Sequence, residues 1–434
     1  MGRVGTKSKL WQAIRHGGEH MFTLPHHFEF LSDAWLVEAQ QFFEKAIARR
    51  KELPRFSCSE RFADAPPHLE LDDDVAQWSM RSDGANVSVS RDFDENADVV
   101  VEGRYQPALM AAQAIGAHAP GAMEAALREV KHIFGKDALR IRGKLASSEA
   151  SELMGSFHDH MGRSTVENPD LAHRAREQGI ADKVREVEAQ GYTVLERAIT
   201  PEFADEVRAA TLRALLPHDT FQLQWMLYHG GEFERIVQNP LLMTLIDATL
   251  GRGAVIASIS AIKKGTGPGV IPMHTDYSMV PEPYPEFAMT GVGVWALEDW
   301  TVESGPTWIV PGSHKLHRGP KPGEQAEGVP IEMPKGSVVY FTHGVWHWQG
   351  DRSAPGERVT LHSHFNRGIL RGLEPKKIDV QMLHRNPPRL GEMLGEDDWF
   401  DKLGPHGRDH ARAAYMMKLS RFTDERKRAL LEEA

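Results

Sequence analysis

His274 and Asp276, in the stretch Ile271-Pro-Met-His-Thr-Asp-Tyr277, place the tightest constraint on how this chain can fold. Side chains at i and i+2 of an extended strand point to the same face. An imidazole and a carboxylate set that way can hold one metal ion between them. A second histidine arriving from a distant strand would complete a three-sided, half-open site. Such a histidine lies downstream: His347, in Val338-Val-Tyr-Phe-Thr-His-Gly-Val-Trp-His-Trp348, with Arg358 following in Glu357-Arg-Val-Thr-Leu-His362.

In a chain with 22 histidines a His-x-Asp triplet arises readily by chance, so its weight comes from the order of features around it. After the triplet come a Pro-rich connection, an alternating strand (Thr290-Gly-Val-Gly-Val-Trp-Ala-Leu297) and the segment Glu303-Ser-Gly-Pro-Thr-Trp-Ile-Val-Pro-Gly-Ser-His314. A tight turn, Pro334-Lys-Gly336, then feeds the apolar strand Ser337 to Thr342. Two histidines and one carboxylate with open positions are the facial triad of non-haem Fe(II) oxygenases. His343 and His347 are four apart, so on a straight strand they share a face and periodicity does not choose between them. A helical His-x-x-x-His zinc motif is excluded, because its general base follows the first histidine directly and Gly344 stands there.

This order resembles the phytanoyl-CoA dioxygenase family of Fe(II)/2-oxoglutarate oxygenases over about residues 181–372. The likeness opens with Ala189-Gln-Gly-Tyr-Thr-Val-Leu-Glu-Arg197, similar to the family's first strand and helix. The resemblance implies a double-stranded β-helix (jelly-roll) domain with His274, Asp276 and His347 as iron ligands. It prefers His347 over His343, because the family's arginine follows its distal histidine by about ten residues. Arg358 would then bind the far carboxylate of 2-oxoglutarate through a planar, always charged fork. Thr360, two residues on and on the same strand face, would donate to the same group. The other reading of Arg358 is a surface arginine paired with Glu357. Trp348-Gln-Gly-Asp351 departs from the Gly-rich, Asn-containing family pattern. The implied reaction consumes 2-oxoglutarate and O2 and yields succinate and CO2. Related halogenases carry a small residue at the carboxylate position, so Asp276 favours hydroxylation, or a desaturating or ring-forming variant.

A chain of 434 residues suggests two or more domains. Its formal charge of −10 argues against a nucleic-acid partner. The single cysteine, Cys58, forms no internal disulfide and reads as a packed apolar residue. The basic stretch Met1 to Phe22 lacks the apolar run of a signal peptide, and no segment is long and apolar enough to span a bilayer. The expectation is a soluble cytoplasmic protein.

Upstream, Ser32 or Asp33 caps a helix with Leu36, Ala39, Phe42, Phe43 and Ala46 at helical spacing. Strands are expected at 76–80, 85–90, 97–103 and 137–143, and helices at 107–117, 122–134 and 149–162. This α+β region resembles the sterol carrier protein type 2 fold in Phe30-Leu-Ser-Asp-Ala-Trp-Leu36, Asp98-Val-Val-Val-Glu-Gly103 and Leu139-Arg-Ile-Arg-Gly-Lys-Leu145. The likeness implies an apolar tunnel for lipid-like ligands. The alternative is a domain that only packs. The expected organisation is an N-terminal extension (1–26), an α+β domain (27–168), a charged linker (169–181), the oxygenase domain (182–372) and a helical extension (373–434).

Gly265-Thr-Gly-Pro-Gly269 reads as a flexible connection, its glycine spacing being wrong for a phosphate loop. The loop Tyr277 to Phe287 reads as a substrate lid. With Trp346 and Trp348 it points to a small, hydrophobic or lipid-like substrate, while Trp295 reads as barrel packing. His362 and His364 alternate on the distal strand without an assigned role. The competing functions are a lipid carrier with a lapsed jelly roll, and a metal-dependent cupin-type enzyme that does not use 2-oxoglutarate. Oligomeric state is not legible.

Overall fold

Ser32 opens the first long helix: its hydroxyl accepts from the Trp35 amide at 3.2 Å, and α1 (Asp33–Arg50) follows. The computed structural model describes residues 27–433 except 51, 219, 278–279, 343, 374–378 and 396–409. His343 therefore lies outside the described residues, as does the N-terminal extension. The chain divides into two units between Asn168 and Pro169, and the C-terminal region contributes segments to both.

The first unit is α+β. Its strands β1 (Phe56–Ala63), β2 (Ala76–Ser82), β3 (Val87–Ser90), β4 (Val99–Arg104) and β5 (Leu139–Gly143) form one sheet in the order β3-β2-β1-β4-β5. The sequence pattern did not reveal β1, the central strand, which runs parallel to β4 and antiparallel to β2. Its polar residues hid it. Ser57 and Ser59 are buried beside Phe56, Cys58 and Phe62, and the Ser57 amide donates to Asp98 at 2.7 Å. Helix α2 (Tyr105–Ala112) starts and ends earlier than expected and gives way to a short 3-10 turn, Gly116–His118. Helices α3 (Ala122–Phe134) and α4 (Ser148–Gly162) fall where periodicity puts them. The core is filled by rings: Phe43 stacks on Phe157 at 4.7 Å and Trp35 meets Trp78 edge-on at 5.2 Å. Cys58 packs into the same core.

The second unit starts inside the segment expected to be a linker. That segment is helix α5 (Leu171–Glu177), with Leu171, Ala172, Arg174 and Ala175 buried. Its charge is misleading, because the Arg174 guanidinium is buried against Asp247 at 2.7 Å. Helices α6 (Ala181–Gln190), α7 (Pro201–Leu215) and α8 (Pro240–Leu250) accompany two antiparallel sheets. The larger comprises β6 (Tyr192–Leu195), β7 (Gln222–Leu223), β8 (Val255–Lys264), β9 (Thr290–Ala296), β12 (Val338–Thr342) and β14 (Arg358–Asn366), ordered β6-β12-β9-β14-β8-β7. The smaller comprises β10 (Thr307–Ile309), β11 (Val329–Pro330) and β13 (His347–Gln349), ordered β11-β10-β13. Val292, Val294, Val339 and Phe341 of one sheet share a core with Ile309 of the other and with Trp300, Ile331 and Met333. This is the sandwich layout expected of a jelly roll. Trp295 is fully buried packing.

Candidate metal centre

The two triad histidines meet because their backbones pair. The His274 amide donates to the His347 carbonyl at 3.0 Å and the His347 amide returns a bond to His274 at 3.0 Å. Residues so opposed in an antiparallel pair sit directly across from one another, and the two imidazole centroids are 4.2 Å apart. The expectation of a regular strand at His274 is not met; the structure gives it a single isolated bridge. Pro268 and Pro272 lack the amide that a continuing ladder needs. The straight strand assumed to run into His347 is also not met. β12 ends at Thr342, and His347 opens β13 in the other sheet.

Upstream of His274 the glycine-rich connection is stitched down. Gly267 pairs with Arg352, the Gly269 amide donates to Asp351 at 2.8 Å, and Thr266 donates to the Ala354 carbonyl at 2.9 Å. Gly269 is required by proximity: a Cβ there would lie 1.9 Å from the Gln349 carbonyl oxygen. Asp351, in the stretch that departs from the family pattern, thus holds the strap that leads into the first ligand.

Both imidazoles are turned by their Nδ1 atoms. His274 Nδ1 lies 2.8 Å from the Pro272 carbonyl and His347 Nδ1 lies 3.0 Å from the Val345 carbonyl. Carbonyl oxygens only accept, so each Nδ1 carries the proton and each Nε2 is left with its lone pair. The Nε2 atoms lie 3.4 Å (His274) and 3.8 Å (His347) from Asp276 Oδ1. One ligand atom from each of the three residues falls within 4.8 Å of the others. The electrostatics differ between the two rings. Burial pushes His347 below the ordinary imidazole range, whereas at His274 the effect of burial is outweighed by Asp276, and its pKa is raised. Two basic nitrogens and a carboxylate aimed at one point suit a divalent cation.

The triad opens on a cavity of about 210 Å³ between the two sheets. Along β14, Arg358, Thr360, His362 and His364 alternate and all line it. Ile262, Val292, Val294, Phe341 and Trp348 give it apolar walls. Arg358 is 3% exposed. It is no surface arginine paired with its neighbour, because Glu357 instead pairs with Lys263 at 3.2 Å. The guanidinium stacks 4.6 Å over the Trp300 ring, and its buried Nε and Nη1 atoms have no hydrogen-bond partner. Burial, then the nearby Arg352, brings its pKa down to about 10, so it remains a cation at neutral pH. Thr360 is buried beside it.

Two tyrosines anchor the loop expected to be a lid, and none of its described residues lines this cavity. Tyr277 and Tyr284 are buried, Tyr277 Oη accepts from the Met289 amide at 2.8 Å, and the Tyr284 amide donates to His317 at 2.7 Å. Trp346 is likewise buried, its indole donating to the Arg318 carbonyl at 2.9 Å. Trp300, Gln222 and Ser260 also line the cavity, and sequence reasoning did not find them. Ser260 had a signal in the alternation of β8; Trp300 and Gln222 had none. His158 and His160 take no part: they bond to the Ala114 carbonyl and to Glu38.

Residues 139–358 match the family model for phytanoyl-CoA dioxygenase. The match begins ahead of the expected boundary near 181, within the first unit. Among matched relatives, dioxygenase af480 of Aspergillus fumigatus is 27% identical over 36% of this chain and 52% of its own length. The uncharacterized protein Rv1501 of Mycobacterium tuberculosis is 22% identical over 42% of this chain and 68% of its own. The chain thus spans about half the length of the Aspergillus relative. Similar solved structures include HygX of Streptomyces hygroscopicus with nickel and 2-oxoglutarate bound (13% identity, TM-score 0.38, 44% of this chain and 88% of that one). Another is the epimerase SnoN in complex with Fe3+, alpha ketoglutarate and nogalamycin RO (17% identity, TM-score 0.39, 48% and 96%).

Proposed function

This chain belongs to the phytanoyl-CoA dioxygenase family, and from that premise we propose that it is an Fe(II)- and 2-oxoglutarate-dependent dioxygenase hydroxylating a small, hydrophobic or lipid-like substrate. The observation that carries the reading is Arg358. A buried guanidinium whose Nε and Nη1 are unpartnered, in a cavity that three converging metal donors also line, asks for an anion between them. A dicarboxylate with a keto group satisfies both ends. Iron(II) at the triad supplies O2 activation coupled to decarboxylation of 2-oxoglutarate to succinate and CO2.

The chain's own part is placement. His274, Asp276 and His347 fix the metal position, Arg358 and Thr360 anchor the far carboxylate, and Ile262, Val292, Val294 and Phe341 keep water from the chain between them. The apolar walls and Trp348 support a hydrophobic substrate. Aromatic rings fill the described core of the first unit, so a lipid-carrying role there requires those rings to part.

The test is an anaerobic titration of the metal-free protein with Fe(II), then 2-oxoglutarate, read by the weak visible charge-transfer band of the chelate. The band is expected, and is expected to be absent from His347→Ala and Arg358→Ala. Metal binding without a band sinks the 2-oxoglutarate reading, and no metal binding sinks the enzyme.

A further inference from the structure

Thr360 and His362 are successive inward residues of β14. Thr360 lies between Ile262 on β8 and Ala296 on β9, and His362 between Ser260 and Val294. Thr360 is 1% exposed and β-branched, so its hydroxyl has few places to go. It has two neighbours: the Ile262 carbonyl at a long 3.4 Å, and His362 Nε2 at 3.0 Å.

A hydroxyl has one proton to give, and a carboxylate can only accept. If Thr360 is to bond a carboxylate held by Arg358, its proton must be free for that use. Two groups compete for it, the Ile262 carbonyl and an unprotonated Nε2. A protonated Nε2 removes the stronger competitor and fills an Oγ1 lone pair. The hydroxyl is then turned with its proton toward the ligand. We propose that His362 is a positioning residue that directs the Thr360 proton onto the far carboxylate of 2-oxoglutarate through an Nε2–H to Oγ1–H relay.

The surroundings suit that task. Burial, with His364 and Arg358 adding to it, holds the His362 pKa down to about 3. The ring is therefore neutral at physiological pH, carries one N–H, and adds no second cation to compete with Arg358 for the anion. Arrival of the carboxylate selects the tautomer with the proton on Nε2, and each bond in such a chain polarises the next. The inference rests on the 2-oxoglutarate reading above and adds to it a residue whose effect passes wholly through Thr360.

The experiment uses full-length, Fe(II)-loaded protein under anaerobic conditions. The dissociation constant for 2-oxoglutarate is read from the charge-transfer band, with a thermal melt on each variant. Thr360→Val and His362→Leu are each expected to weaken binding by about fivefold, the worth of one net hydrogen bond. The double variant is expected to be no weaker than Thr360→Val alone. His362→Gln, which keeps a donor near Nε2, is expected to bind almost as wild type, and the shorter His362→Asn to bind like Leu. If His362→Leu fails to fold, the Gln and Asn pair carries the same comparison. Effects of Thr360→Val and His362→Leu that multiply, or a Gln variant as weak as Asn, overturn the relay while leaving the enzyme reading intact. A wild-type protein that gives no band with 2-oxoglutarate overturns both.

Discussion

Replacing Arg358 with methionine should strengthen the fold and destroy co-substrate binding in one step. The guanidinium is 3% exposed, and its pKa falls from 12.5 to about 10, chiefly through burial. At about 1.4 kcal/mol per pKa unit, that depression reports a cost of roughly 3 kcal/mol for keeping the charge buried. The stack on Trp300 returns about 1 kcal/mol. Methionine fills much of the same volume with no charge and no unpaired donor. The metal-free, ligand-free Arg358→Met protein should therefore be more stable by about 2 kcal/mol, a rise of about 4–8 °C in the melting temperature of the second unit.

Binding moves the other way. Two charge-assisted hydrogen bonds to a carboxylate are worth about 3 kcal/mol together at the low end, so affinity for 2-oxoglutarate should fall at least about 100-fold. Scanning calorimetry with and without 2-oxoglutarate, metal loaded, reads both effects. The ligand should raise the wild-type transition by mass action and leave the variant's unmoved. A variant that melts lower than wild type without ligand, or that still responds to 2-oxoglutarate, would show that Arg358 is a structural cation and refute the argument.

Three further outcomes are expected. Asp276→Ala removes the only anionic member of the triad, so Fe(II) affinity measured by anaerobic titration should drop by at least about tenfold and hydroxylation should vanish; substantial retained turnover excludes Asp276 as a ligand. Gly269→Ala puts a methyl where the Gln349 carbonyl lies, so the strap into His274 must shift; metal binding should weaken with little change in the first unit's melting, and unchanged metal affinity would show that the strap does not position the ligand. Glu60 in the first unit has a pKa raised to about 7 by burial, against a lowering bond from the Trp78 indole. Its folded-state pKa lies above its unfolded value, so its contribution is fully present below about pH 4.5 and is lost as pH rises through 7. Glu60→Gln should abolish a pH-dependent loss of up to about 3 kcal/mol between pH 5 and 8, as denaturant melts would show; an unchanged slope assigns the loss to other groups.

How much of the centre is legible in the sequence depends on the range of the signal. The period-2 alternation of β14 is local, so the spacing of Arg358, Thr360, His362 and His364 is enough to put them on one face. Trp300 has no such signal, since it lies outside any named strand and reaches Arg358 only through the packing of the two sheets. β1 and α5 escape for the same physical reason: in each, polar groups are buried because partners distant in sequence satisfy them. Ser57 finds Asp98 and Arg174 finds Asp247, pairings that no window along the chain contains. His347 is the instructive case. Spacing alone leaves it level with His343, and the tie rests on treating residues 338–348 as one straight strand. The chain instead turns after Thr342 and re-enters in the other sheet, where two backbone hydrogen bonds set His347 across from His274. A cross-strand bridge is a relation between residues more than seventy positions apart, and it, not the period of either segment, brings the two imidazoles together.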